Sequence, residues 1–219
     1  MLRQTTKRYY EIVIFTKEMA NKLSSEYNID KSRWTFSIPE SYNEYLEQEY
    51  EIRYRDRCDC ADSMYAEIHS DNELYDGSFA LTKYDERNDG KLSYRTIIPK
   101  QHIIELLYHN QDDSIVKEYI EICLRHEIGH ILHIEEEIEN RGGIEDLRVW
   151  LYLENEMFNQ EYWTFYNEHY ETDDDNVFYR ETCEKYYSLS PESDANKCAN
   201  VDVDKLINLE LKVRIGISE

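Results

Sequence analysis

His126, Glu127 and His130 stand in the stretch Ile122-Cys123-Leu124-Arg125-His126-Glu127-Ile128-Gly129-His130-Ile131-Leu132-His133. Histidines four apart on a helix lie one above the other on one face. Two imidazoles so placed can share one tetrahedral Zn²⁺. Glu127 follows His126 by one step, about 100° round the helix. From there its carboxylate reaches water at the metal rather than the metal itself, as a general base should.

The helix that carries them must have a buried side. Ile120, Cys123, Leu124, Ile128, Ile131 and Ile134 form an apolar arc, with His126 and His130 at its border. That pattern predicts a helix packed on the core, its imidazoles facing a cleft. Gly129 costs about 1 kcal/mol in a helix interior, so its presence predicts a close approach by another segment. A half-buried helix with two hydrogen-bonded histidines would explain less of this. Asp112, Asp113 and Ser114 can cap a start near Ile115, and Arg141-Gly142-Gly143 can end the helix. Glu135, Glu136 and Glu137 oppose the dipole near its end. They need basic neighbours, or the helix frays.

A zinc site with two histidines needs a third protein ligand and an open position. The run Pro191-Glu192-Ser193-Asp194-Ala195-Asn196-Lys197-Cys198-Ala199 offers one on a second helix, with Ser190 as its cap. Glu192 can supply the carboxylate. Asn196, four residues on, can orient a ligand histidine through its free ring nitrogen. Ala195 and Ala199 keep this helix slim. Asp194 is an alternative ligand, as are Glu156 and Glu154 from the region between the two motifs.

With these residues in view, the chain resembles the gluzincin metallopeptidases. Glu192-Ser193-Asp194-Ala195-Asn196 is similar to the Glu-x-Glu-Ala-Asn/Asp segment of the ImmA/IrrE-type peptidases. The resemblance covers two short motifs. It departs from the family pattern at Asn196, where many relatives have Asp, at Asp194, and in the long interval from His130 to Glu192. It implies a zincin-like fold and Zn²⁺ held by His126, His130 and Glu192. Glu127 would be the catalytic base and Asn196 the residue behind a ligand. The implied activity is that of a zinc endopeptidase cleaving a specific regulatory protein. Tyr186, Tyr187 and His169 are the candidates to stabilise an oxyanion. The other reading is an inactive, acidic binding or inhibitor protein of a mobile element, built on the same scaffold.

Composition narrows the partners. Among 219 residues, 25 are basic and 47 acidic, a net charge of −22. Direct nucleic-acid binding needs a basic surface and is excluded as an expectation. An anionic membrane is disfavoured too, and no apolar run approaches the ~20 residues of a span. Five cysteines, an odd number, fit a reducing, cytoplasmic setting. Cys58 and Cys60 form a C-x-C pair without a matching second pair. Cys123 and Cys198 read as small core residues. The 20 tyrosines suit core edges or a protein-binding face.

The rest of the chain reads as an α+β protein of one domain. Residues 1–110 supply a small, mostly antiparallel sheet with helices, and residues 111–219 the helical, metal-binding part. Residues 9–15, rich in β-branched and aromatic types, predict a strand. Thr16 caps a helix over 17–27, and another covers 40–55. Strands are predicted at 63–69, 78–84 and 92–98, the last two joined by an Asp-Gly hairpin. Strand 92–98 or its partner is the expected edge for an extended peptide substrate. Helices follow over 101–109, 144–169 and 177–187. Residues 171–176 form an acidic loop that lacks the ligand spacing of an EF-hand.

Overall fold

The computed structural model describes residues 2–39, 79–87, 89–169 and 175–215. Among them are seven helices and one three-stranded mixed sheet, an α+β fold that is mostly helical. In chain order these are α1 (Leu2–Glu26), β1 (Trp34–Ser37), β2 (Leu81–Glu86), β3 (Leu92–Ile97), α2 (Lys100–His109), α3 (Asp113–Arg141), α4 (Ile144–His169), α5 (Asp175–Ser188), α6 (Glu192–Cys198) and α7 (Val203–Glu210), closed by a π turn at Leu211–Ile215. The predicted helix 40–55, strand 63–69 and the Cys58/Cys60 pair lie outside the described residues, as does most of the acidic loop. No described helix is long and apolar enough to cross a membrane.

The 29-residue α3 is the axis. Asp112 caps its start, its carboxylate accepting from the Ser114 amide. Gly142 ends it at φ 81°, the left-handed conformation that glycine adopts without a Cβ penalty. All six residues of the expected apolar arc are buried. The acidic end is held by basic neighbours: Arg33 pairs with Glu135, and Arg141 with Glu137 at 2.7 Å.

The first predicted strand is instead the middle of α1. Ile12, Thr16, Ala20 and Leu23 recur at helical spacing, and each is 1% exposed or less, while Tyr10 and Ile14 lie outside. That stripe packs on α3, and the packing overrides the local β preference of residues 9–15. Thr16 is no cap. Its hydroxyl donates to the Ile12 carbonyl one turn back, at 2.7 Å. Arg8 fixes the helix near its start, donating to the Leu107 and Asn110 carbonyls and pairing with Asp113.

The sheet order is β1-β3-β2. β2 and β3 form the expected antiparallel hairpin, with Thr82 opposite Thr96. β1 pairs with β3 in parallel, so the sheet is mixed rather than mostly antiparallel. This places β3 in the centre, between β1 and β2, and removes it as the expected substrate edge. A chain of polar groups ties the sheet to α3. The Trp34 indole N–H donates to Thr96 Oγ1 at 3.1 Å, and the Thr96 and Thr82 hydroxyls are 2.9 Å apart. The Thr82 hydroxyl donates to the Glu127 carbonyl at 3.3 Å. Since the Glu127 carbonyl can only accept, it takes the one Thr82 proton, the Thr96 hydroxyl donates to Thr82, and the proton order runs from Trp34 toward Glu127.

Candidate metal centre

α6 lies across the middle of α3, the most extensive helix pairing among the described residues. Its approach depends on two small residues. A Cβ on Gly129 would stand 2.0 Å from the Ala195 carbonyl oxygen, so only glycine admits the backbone of α6 at this distance. Ala195 and Ala199 are fully buried beneath the crossing. From α1's end, the Tyr27 hydroxyl donates to the Ala199 carbonyl at 2.7 Å and fastens the far side of α6.

This crossing brings His126, His130 and Glu192 together, with one ligand atom from each within 4.8 Å of the others. His126 Nε2 and Glu192 Oε2 are 2.9 Å apart, the two Nε2 atoms 3.2 Å, and His130 Nε2 and Glu192 Oε2 3.4 Å. For bonds of about 2.0–2.1 Å in tetrahedral geometry, ligand atoms should stand roughly 3.3 Å apart. The triangle therefore has the size that a small divalent ion requires. His126 and Glu192 are buried, and His130 is partly exposed.

The remaining nitrogen of His126 fixes its role. Nδ1 lies 2.8 Å from Asn196 Oδ1, and an amide oxygen can only accept. The Nδ1–H therefore points at Asn196, and the Nε2 lone pair points at Glu192. A lone pair facing a carboxylate oxygen needs a cation or a proton between them. Without metal, a proton serves. Burial lowers the basicity of His126, but its hydrogen bond to Glu192 and that group's charge outweigh this and raise its pKa to about 9. Burial would raise Glu192, yet the His130 charge and the hydrogen bonds from both imidazoles hold it well below the usual carboxylate range.

Metal and proton compete for the same nitrogen, so binding releases the proton. Metal affinity is expected to keep rising with pH past the ordinary imidazole value of 6.5, levelling off only near 9. Calorimetric titration across this range measures it. Asn196→Ala, which leaves the His126 ring without its orienting acceptor, is expected to weaken metal binding ~10–100-fold. A competition assay with a chromogenic chelator reads that change.

Glu127 is 6% exposed, and its Oε2 has no hydrogen-bond partner. Burial pushes its pKa up, partly offset by the His130 and His126 charges. It belongs to no metal-sized cluster among the described residues. Its carboxylate thus stands beside the three-residue group with one oxygen unpartnered. A cavity of about 330 Å³ opens beside His126 and Glu127, walled by Tyr119, Tyr162, Trp163 and Tyr186.

The alternatives of the sequence reading separate here. Glu156 is exposed and joins neither metal-sized group. Asp194 and Glu154 turn away from the triad toward His133. Ser190 caps nothing; its hydroxyl contacts Glu154 and Asp194, which outcompete the α6 backbone for it. Of the three oxyanion candidates, Tyr186 lines the cavity and hydrogen-bonds Glu192. Tyr187 spends its hydroxyl on Glu210 at 2.6 Å. His169 Nδ1 is satisfied by the Phe165 carbonyl at 2.8 Å, and its ring stacks on Phe165. Cys123 is a core residue, whereas Cys198 is half-exposed with its thiol toward Glu136. Sequence reasoning missed Thr82 and His133. The cross-strand Thr82–Thr96 pair is unremarkable until the hairpin is built, and His133 has no partner close in sequence.

No family model, curated protein or solved structure matches the chain.

Proposed function

We propose that this chain is a zinc-dependent peptidase of gluzincin character. The observation that carries the reading is the metal-sized triangle of His126, His130 and Glu192 beside the buried carboxylate of Glu127, whose Oε2 has no partner. One nitrogen pair and one carboxylate oxygen suit Zn²⁺ among biological divalent ions. Bound there, zinc would polarise a scissile carbonyl and acidify water. The likeness to ImmA/IrrE-type peptidases rests on these same residues and remains a likeness of two motifs.

The protein's own residues then divide the work. Asn196 holds the His126 ring so that Nε2 faces inward. Glu127 takes a proton from the attacking water and delivers it to the leaving amine; its raised pKa suits both halves of that transfer. The Thr82 hydroxyl, at the Glu127 backbone, keeps the base in register with the sheet. Tyr186 lines the cavity beside Glu192, and its single phenolic proton would have to turn from Glu192 to the carbonyl oxygen as charge develops. The aromatic cavity would take an apolar side chain beside the scissile bond.

The test is cleavage of a peptide library by zinc-loaded protein, with new termini identified by mass spectrometry. Hydrolysis by the loaded form and none by the chelator-stripped form is expected. Full zinc occupancy with no cleaved product would overturn the peptidase reading. It would favour the acidic binding protein that the charge of −22 also suits.

A further inference from the structure

His133 lies three residues beyond His130 on α3, and the centre described above makes no use of it. It is 8% exposed, and its Nε2 is buried without a hydrogen-bond partner. A buried ring nitrogen left unpaired costs roughly 1–3 kcal/mol, so its placement calls for a ligand. Glu154 from α4 and Asp194 from α6 come to it, and one ligand atom from each of the three lies within 4.8 Å of the others. Oε2 of Glu154 is buried and unpartnered as well.

The charges around this group do not balance. The Ser190 hydroxyl contacts Glu154 Oε1 and lies 2.8 Å from Asp194 Oδ2. A hydroxyl carries one proton, so it can donate to only one of these two oxygens. Lys197 meets Asp194 on its other oxygen, at 2.7 Å from an ammonium that is largely in water. Two carboxylates, an inward imidazole nitrogen and a single shared hydroxyl proton leave a deficit of positive charge at the centre. Carboxylates that are partly buried, with Oε2 of Glu154 fully so, are costly unless paired or bound to metal.

We propose that His133, Glu154 and Asp194 bind a second divalent metal ion, separate from the ion held by His126, His130 and Glu192. The donor set of one imidazole and two carboxylates suits a first-row ion of the zinc or manganese type. Ser190 serves behind it by orienting one of the carboxylates. The three ligands come from three helices, so the ion ties α4 to the α3–α6 pair. The site stands whether or not the first centre cleaves peptides.

Zinc content decides the matter. The intact protein is stripped with chelator, reloaded with Zn²⁺, desalted and measured by elemental mass spectrometry, with circular dichroism to verify the helices. Two equivalents per chain are expected. Glu154→Gln and Asp194→Asn, which keep side-chain shape, should each retain one. His126→Ala should also retain one, held by the second group. A single equivalent in the unaltered protein overturns the proposal. So do two equivalents in both Glu154→Gln and Asp194→Asn, or none in His126→Ala.

Discussion

Glu127→Gln is expected to bind zinc at the stoichiometry of the unaltered protein and to lose peptide hydrolysis by ~100- to 10,000-fold, the range assigned to a general base. Glutamine keeps the length and shape of the side chain but has no basic oxygen. Glu127 is not in the ligand triangle, so its loss should leave the metal in place. Stability separates this outcome from simple damage. Burial raises the Glu127 pKa, so its ionised form at neutral pH is a cost to the fold. That cost is absent below the unfolded pKa and grows as pH rises past it. The neutral amide removes it, and the variant's Tm at neutral pH should equal or exceed that of the unaltered protein. Activity loss with a lowered Tm would point to a structural role; undiminished hydrolysis would end the assignment of Glu127 as base.

Gly129→Ala should be the most damaging single-methyl change in α3. In an ordinary helix interior, replacing glycine by alanine stabilises by about 1 kcal/mol. Here the sign reverses, because the new Cβ would stand 2.0 Å from a backbone oxygen of Ala195. Backbone cannot swing aside as the end of a side chain can. Overpacking of this kind costs typically 1–3 kcal/mol and occasionally more. For a chain of this length each kcal/mol moves Tm by roughly 2–4 °C, so a fall of about 5–10 °C is expected. The displacement also moves Glu192, which α6 carries, and zinc affinity should drop with it. Gly143→Ala provides the contrast. Its added methyl meets nothing within 4 Å, and its φ is not in the left-handed region. Equal Tm values for the two variants would refute the close-approach account.

The most legible part of the chain was the part governed by local chemistry. The α3 cap at Asp112, its glycine end at Gly142 and its buried arc all follow from residue type and period. Gly129 announced a neighbour, and Ala195 and Ala199 suggested which neighbour. What failed was anything decided by distant packing. Residues 9–15 carry strand-forming types, yet the longer period through Ile12, Thr16, Ala20 and Leu23 finds α3 and wins. The parallel partner of β3 could not be read, because short strands do not declare their pairing direction. Asp194 and Glu154 are metal-ligating types, but in sequence they read only as rivals for one ion. Their convergence on His133 depends on how α4 returns along α3, which spacing alone does not encode.

The ligand set also bears on biosynthesis. His126 and Glu192 are 66 positions apart, and the Tyr27 hydrogen bond that secures α6 spans 172. Contacts so remote along the chain require large loops to close before they reward folding. During vectorial synthesis the ribosome must release residue 192 before any such centre can be completed. Metal capture would thus be a late event, and a truncated chain ending before α6 would present two histidines with no carboxylate to join them. Zinc retention would therefore report completion of the tertiary structure, rather than formation of the long helix alone.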